Sequence, residues 1–127
     1  MASLLAISTK DAPDPVGSYS QGIKAGDFIF VSGQIPLNPR SGEIVKGELE
    51  VQIKQVLENV KAILEAGGSS LKKVVKMSVF LNDLEDAPKV NTIFEKYFPK
   101  ERPAREMMEV SRLPKEALLE ISAIALS

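Results

Sequence analysis

The sequence predicts an α+β fold in which a mixed β-sheet carries two helices, in the order βββαβαββ. Six short segments alternate apolar and polar residues or are apolar throughout, as β-strands require. Two longer segments repeat apolar residues every three or four positions, as amphipathic helices require. Glycines and prolines separate the segments. The chain has 127 residues and a mass of 13.8 kDa, so we expect one domain spanning residues 1–127.

The first half of the chain is predicted to contain three strands and one helix. Glycine gives a tight turn its backbone freedom, so Ala25-Gly26 predicts a hairpin between the second and third strands. The pair Gly67-Gly68 predicts the end of the helix, because glycine takes the left-handed conformation that closes helices. We expect strands at residues 4–9, 20–24 and 27–35, and a helix at residues 48–66.

The second half is predicted to contain three strands and a shorter helix. Asp86, with Pro88 two residues later, indicates the start of this helix, and Pro99 ends it. The turn Pro114-Lys115-Glu116 predicts that the last two strands pair as an antiparallel hairpin. We expect these strands at residues 71–82, 103–113 and 117–126.

Several strands are apolar on both sides. Residues 28–31 are apolar throughout, and residues 118–124 carry apolar side chains on both faces. Two helices of the predicted length cover only one face of a sheet. We therefore expect the second face to be buried against other subunits in an oligomer.

The composition excludes several kinds of chemistry. With no Cys, the chain cannot form disulfides, thiolate metal sites or a thiol nucleophile. With no His, it lacks the commonest general base and the commonest transition-metal ligand. Sixteen basic and 17 acidic residues give a net charge of -1, so we do not expect nucleic acid as a partner.

The amino-terminal residues carry no recognisable targeting pattern. The apolar run at residues 4–7 is too short for a signal sequence or a membrane span. We expect a cytoplasmic protein with no membrane partner, or alternatively the mature form of a mitochondrial one.

Glu120 interrupts an apolar strand, and a carboxylate in such a position needs water, a cation or a functional reason. The ordinary alternatives are an exposed edge position or an ion pair. Arg105 is the obvious candidate partner, but the predicted hairpin separates the two by roughly five residues of ~3.3 Å each. They could still flank one cavity, particularly a cavity closed by another subunit.

Tyr19 and Ser32 form a second candidate pair. Counting outward from Ala25-Gly26 places them opposite each other on one sheet face. Gly33 follows within the strand, where a glycine often permits close approach of a ligand or of backbone. The ordinary alternative is a bulge with a cross-strand polar contact. Asn91, on the polar side of the second helix, indicates little by itself.

Taken together, several segments resemble the Rid family of reactive-intermediate imine deaminases, also called YjgF or L-PSP proteins. The likeness extends from about residue 7 to residue 125. The matching segments are Gly17-Ser18-Tyr19-Ser20-Gln21, residues 30–36, Val90-Asn91, residues 102–105, Glu109-Val110, residues 112–115 and residues 120–125.

This resemblance implies a chorismate-mutase-like fold and a homotrimer with three clefts between subunits. It also implies hydrolysis of 2-aminoacrylate, 2-iminobutanoate and 2-iminopropanoate to 2-oxo acids and ammonia, without a metal or organic cofactor. The expected partners are therefore small imino acids and further copies of the chain. Two other activities remain open: an endoribonuclease or translation inhibitor, and a non-enzymatic, chaperone-like binding protein.

The resemblance also implies roles for individual residues. Arg105 would bind the substrate carboxylate through two parallel hydrogen bonds, and Glu120 would orient the attacking water and handle its protons. The backbone N–H groups that assist the arginine, and the side chains that line the cleft, would belong to Gly33, Met107, Tyr19, Ser32 and Asn91.

The chain departs from the family pattern after the arginine, where Ser-Cys is common and Glu106-Met107 stands here. Met107 preserves a backbone contact, but its side chain could narrow the pocket. Glu106 is expected to point to the opposite sheet face from Arg105, where it would need a partner such as a lysine from another strand.

Overall fold

The computed structural model describes residues 3–127 and confirms the predicted order of elements. The strands are β1 (Leu4–Ile7), β2 (Gly22–Ala25), β3 (Phe28–Gln34), β4 (Val74–Leu81), β5 (Ala104–Glu109) and β6 (Leu119–Leu126). The helices are α1 (Leu49–Ala66) and α2 (Ala87–Tyr97). Short 3₁₀ turns occur at Leu71–Lys73, Leu84–Asp86 and Pro114–Glu116. Within residues 3–127, neither helix is both long and apolar enough to cross a lipid bilayer.

The strands form one six-stranded sheet in the order β1-β2-β3-β6-β4-β5. Only β4 and β5 pair in parallel; the other neighbours are antiparallel. The predicted hairpin between the last two strands is therefore wrong, because β6 lies between β3 and β4, and β5 lies at the edge. Composition accounts for the difference: β6 is almost wholly apolar and suits the centre, whereas the charged residues of β5 suit an edge.

The β2–β3 hairpin forms as predicted, but its turn lies one residue later. Ala25 pairs with Phe28, so the two turn residues are Gly26 and Asp27. Gly26 has a φ of 58°, a left-handed value that favours glycine at this position. The shift changes every pair counted outward from the turn, so Tyr19 does not lie opposite Ser32.

Both helices pack on one face of the sheet, as predicted. Their apolar sides share a single core with alternate residues of the central strands, including Leu119, Ile121 and Ala123 of β6. The opposite face has no helix over it. Its exposed apolar side chains include Phe28, Phe30 and Leu126.

The backbone is irregular at places near the ends of the central strands. The pairing of β3 with β6 shifts between Val31 and Gln34, which is the bulge that Gly33 suggested. Before β6, Lys115 and Glu116 adopt positive φ values of 54° and 57°. Two consecutive non-glycine residues in this region are uncommon and mark a strained turn.

Candidate functional site

Glu120 lies in the middle of β6, on the sheet face without helices. It pairs with Phe80 of β4 and is half-buried. Its carboxyl group lies against Gly33, since a Cβ built on that glycine would fall 2.5 Å from Glu120 Oε2. Glu120 and Gly33 line a narrow pocket together with Tyr19, Gln34 and Pro114. We refer to this set as the Glu120 pocket.

Burial raises the pKa of the Glu120 carboxyl above its ordinary value. Among residues 3–127, no lysine or arginine nitrogen lies within 4.0 Å of this carboxyl to oppose that effect. A carboxyl group of this kind exchanges a proton closer to neutral pH than an exposed glutamate does, which suits acid–base chemistry.

Tyr19 and Ser32 occupy different places around this pocket. Tyr19 belongs to the loop before β2, and its hydroxyl oxygen accepts a hydrogen bond from Val16 N at 3.2 Å. Ser32 donates its hydroxyl hydrogen to Ser20 O at 2.6 Å. Tyr19 therefore lies at the pocket, whereas the Ser32 hydroxyl holds the backbone of the loop before β2.

Sequence reasoning missed the role of Gln21, although it lies in one of the matching segments. Its buried side chain accepts a hydrogen bond from Thr9 N at 2.7 Å. The same amide group donates to Thr9 O, Ala12 O and Pro13 O at 3.0, 3.2 and 2.8 Å. Gln21 thus holds the loop that forms one wall of the Glu120 pocket.

Arg105 lies on the edge strand β5 and projects from the helix-bearing side of the sheet. Its guanidinium carbon lies 5.1 Å from the ring centroid of Phe94, a cation–π distance. The Phe94 ring in turn packs against Phe98, with 5.6 Å between centroids. These side chains line an open cleft of about 450 Å³ with Asn91, Glu95, Arg102 and Pro103. We refer to this set as the Arg105 cleft.

Asn91 and Met107 were both expected beside Arg105. Asn91 is exposed on α2 and lines the cleft. Met107 lies two residues after Arg105 on the same strand, but its side chain packs against the core instead. The methionine consequently adds no bulk to the cleft within one subunit.

Glu106 points to the opposite face, as alternation along β5 predicted. Its carboxylate accepts a hydrogen bond from the Ser78 hydroxyl and lies 3.2 Å from Lys76 Nζ. Both residues lie on β4, so the expected lysine partner from another strand is confirmed. The Ser78 hydrogen bond, followed by Lys76, lowers the pKa of the Glu106 carboxyl.

Within one subunit, the structure does not bring Arg105 and Glu120 together. Arg105 pairs with Met77 on one side of β4, and Glu120 pairs with Phe80 on the other. They are separated by three residues of ~3.3 Å along β4 and by two strand spacings of ~4.8 Å across the sheet. Their side chains also leave opposite sheet faces. Each therefore lies at a different open pocket of the subunit.

Among residues 3–127, no three acidic side chains gather closely enough to hold a metal ion. The residues that line the Arg105 cleft and the Glu120 pocket supply a guanidinium, a carboxyl group, a phenol, an amide and backbone groups.

Comparison with known proteins places this geometry in a family. The family model described as Endoribonuclease L-PSP matches residues 9–127. A RutC family protein of Pyrococcus horikoshii is 56% identical over 119 residues, which cover 94% of each chain. The 2-iminobutanoate/2-iminopropanoate deaminase of Escherichia coli is 46% identical over 122 residues, again 94% of each chain.

A solved structure extends the likeness to three dimensions. Escherichia coli TdcF, determined with bound serine, is 41% identical over a match that covers 97% of this chain and 98% of TdcF, and the two superimpose with a TM-score of 0.92. The sequence match, the shared fold and the family model agree over nearly the whole chain. The protein therefore belongs to the L-PSP family, also known as the Rid or YjgF family.

Proposed function

We propose that this protein hydrolyses small 2-imino acids to 2-oxo acids and ammonia. The observation that carries the proposal is the division of the site into the Arg105 cleft and the Glu120 pocket. One half offers a cation for a carboxylate, and the other offers a carboxyl group with a raised pKa. The deaminase relative at 46% identity supports this reaction, and the serine bound to TdcF supports an amino-acid-sized ligand.

The proposed reaction needs only groups that the chain possesses. Arg105 holds the substrate carboxylate through two parallel N–H···O bonds. Glu120 takes a proton from a water molecule as its oxygen attacks the electrophilic imine carbon; a C–O bond forms, the C=N π bond breaks and its electron pair moves to the nitrogen. Protonation of the nitrogen and loss of the hydroxyl proton then form the C=O bond as the C–N bond breaks and ammonia leaves. The products are the 2-oxo acid and ammonia, so one water is consumed and no redox change occurs.

We propose further that the working form is a homotrimer in which the Arg105 cleft of one subunit closes over the Glu120 pocket of the next. The sheet face that carries Glu120 also exposes Phe28 at 41%, Phe30 at 45% and Leu126 at 45%. Apolar side chains at this density favour burial against another copy. Closure would exclude water from both halves and strengthen their electrostatic interactions.

The family model's description also raises RNA cleavage, and the sequence left chaperone-like binding open. A net charge of -1 gives little attraction for a polyanion, and the chain lacks the histidine that metal-free RNA cleavage commonly uses. The apolar sheet face that could hold a client protein is the face the trimer would bury. Both alternatives are therefore less well supported than imine hydrolysis.

The test is a coupled assay in which threonine dehydratase generates 2-iminobutanoate and semicarbazide traps the imine that remains. We expect wild-type protein to suppress the trapped product, and Arg105→Ala and Glu120→Ala each to abolish that effect. A wild-type protein that leaves trapping unchanged would refute the proposal.

Mixing the two inactive variants tests where the site forms. If Arg105 and Glu120 come from neighbouring subunits, co-refolding equal amounts restores about a quarter of the wild-type activity, because about one interface in four then carries both residues. Sites confined to one subunit would show no recovery. Sedimentation of the mixture should give three times the protomer mass of 13.8 kDa.

A further inference from the structure

A second cation lines the Arg105 cleft. Arg102 lies three residues before Arg105, in the segment that joins α2 to β5. Its Nε donates a hydrogen bond to Phe98 O, at the end of α2, with a separation of 3.2 Å. That bond uses one N–H of the guanidinium and leaves its two terminal amino groups for another acceptor.

Neither guanidinium forms an ion pair within the part of the chain that the structure describes. Among residues 3–127, no carboxylate oxygen lies within 4.0 Å of Arg102 or Arg105. Glu95 is the one acidic side chain among the cleft's lining residues, and it pairs with neither arginine. A substrate with one carboxylate would engage Arg105 and leave the second guanidinium unpaired.

The spacing of the two arginines suits a short ligand with two anionic ends. Residues three positions apart lie at most ~10 Å apart at their Cα atoms, and both arginines line the same cleft. The cleft of about 450 Å³ has room for such a ligand. Phe94 and Phe98 also line the cleft and give it an apolar surface for the carbon chain.

We propose that Arg102 determines specificity by binding a second anionic group, so that the cleft accepts 2-imino acids with acidic side chains. This inference rests on the proposed function, in which Arg105 holds the first carboxylate. Imines of this class arise when acidic amino acids are oxidised at the α-carbon. The reaction that supplies substrates of this class would therefore be an amino-acid oxidation.

The competing explanation is structural: Arg102 would serve only to cap the carbonyl end of α2 through Phe98 O. Binding measurements separate the two roles without depending on turnover. The probes are 2-oxoglutarate and 2-oxopentanoate, two products of equal chain length, of which only the first carries a second carboxylate.

We expect wild-type protein to bind 2-oxoglutarate at least about tenfold more tightly than 2-oxopentanoate by calorimetry, because a charge-assisted hydrogen bond contributes on that order. Arg102→Gln should remove the difference and leave the affinity for 2-oxopentanoate within about twofold of wild type. Lys100→Gln, which removes a positive charge outside the cleft, should preserve the difference.

Three results would overturn the inference: equal affinity of the wild type for the two ligands, no binding of either ligand by the wild type, or an equal loss of affinity for both ligands in Arg102→Gln. A preference that disappears in Arg102→Gln while imine hydrolysis is absent would instead refute the proposed function and keep this subsite. Thermal unfolding of Arg102→Gln reports any capping role separately.

Discussion

Glu120 rests directly against the backbone of Gly33. A Cβ at position 33 would lie 2.5 Å from Glu120 Oε2 and 2.8 Å from the carboxyl carbon, closer than real Cβ atoms approach. The φ angle of Gly33 lies outside the left-handed region, so conformational freedom does not explain this glycine. The residue is small because the carboxyl group occupies the space of its missing side chain.

Replacing Gly33 with alanine should displace the carboxyl group of Glu120 and leave the fold largely intact, since the obstructed atoms are the far end of a flexible side chain. A displacement of this size costs on the order of 10²-fold in rate when the group acts on a reacting water. Imine hydrolysis and thermal unfolding should be measured together. Gly42→Ala, in an open loop, serves as a comparison for strain alone, because its φ is 73° and no atom lies within 4 Å of the added carbon. Activity near the wild-type level in Gly33→Ala would contradict the role assigned to Glu120.

Arg105→Lys should lower kcat/KM for 2-iminobutanoate by roughly 100-fold although the positive charge is kept. Lysine cannot form the two parallel bonds that a guanidinium makes to a carboxylate. It would also lose the planar contact with the ring of Phe94. Because Arg105 is exposed, the Tm should change little.

The matched control for this variant is Arg40→Lys, in an exposed loop far along the chain. It should leave both kinetics and stability unchanged. Equal activity in Arg105→Lys and Arg40→Lys would show that a point charge suffices and that the fork geometry is not used.

The raised pKa of Glu120 predicts a pH-dependent cost to stability. In the folded state the group binds more protons than in the unfolded chain, so the free energy of unfolding falls as pH rises from glutamate's ordinary value of 4.5 through the raised pKa. Glu120→Gln cannot ionise and should escape this loss. The stability of Glu120→Gln relative to wild type should therefore increase across that interval and then level off.

Urea unfolding at a series of pH values measures this difference. The control is Glu65→Gln, on the exposed side of α1, whose free energy of unfolding should differ from that of the wild type by the same amount at every pH. A wild type and Glu120→Gln whose stabilities stay a constant amount apart at every pH would show that burial does not perturb this carboxyl.

The lowered pKa of Glu106, caused first by the Ser78 hydrogen bond and then by Lys76, predicts the opposite dependence on pH. The pKa of the Glu106 carboxyl is lowered, so its contribution to stability is present above the ordinary value and is lost as pH falls through the lowered one. A double-mutant cycle with Lys76→Met and Glu106→Gln should give a favourable coupling at neutral pH that disappears in acid. The same cycle with Lys73→Met in place of Lys76→Met should give no coupling energy.

The sequence predicted which segments fold and in what order, because hydrophobic spacing and the placement of glycine and proline report local structure. It did not predict how strands pair. Moving the hairpin turn from Ala25-Gly26 to Gly26-Asp27 alters no periodicity, yet it removes Tyr19 from the position opposite Ser32. The insertion of β6 between β3 and β4 depends on contacts between residues far apart in the chain, which no local pattern reveals.

The candidate site shows the same division. Alternation along β5 sufficed to place Glu106 on the face opposite Arg105 and to call for a lysine partner. The spacing of apolar residues along α2 suffices to place Phe94 on its apolar side, but nothing in that spacing indicates that its ring lies beneath a guanidinium. Hydrophobic periodicity does not reveal Gln21, because the loop that its side chain binds has no periodic pattern.

The positions of β5 and β6 in the sheet give Arg105 and Glu120 unequal freedom to vary. Glu120 lies on a strand that has neighbours on both sides, and the other face of that strand packs into the core, so large substitutions around it disturb folding. Arg105 and Arg102 lie at the rim, where side chains can be swapped at little energetic penalty. Over evolutionary time, such a molecule can change the chemistry of its margin while its central strand remains unchanged.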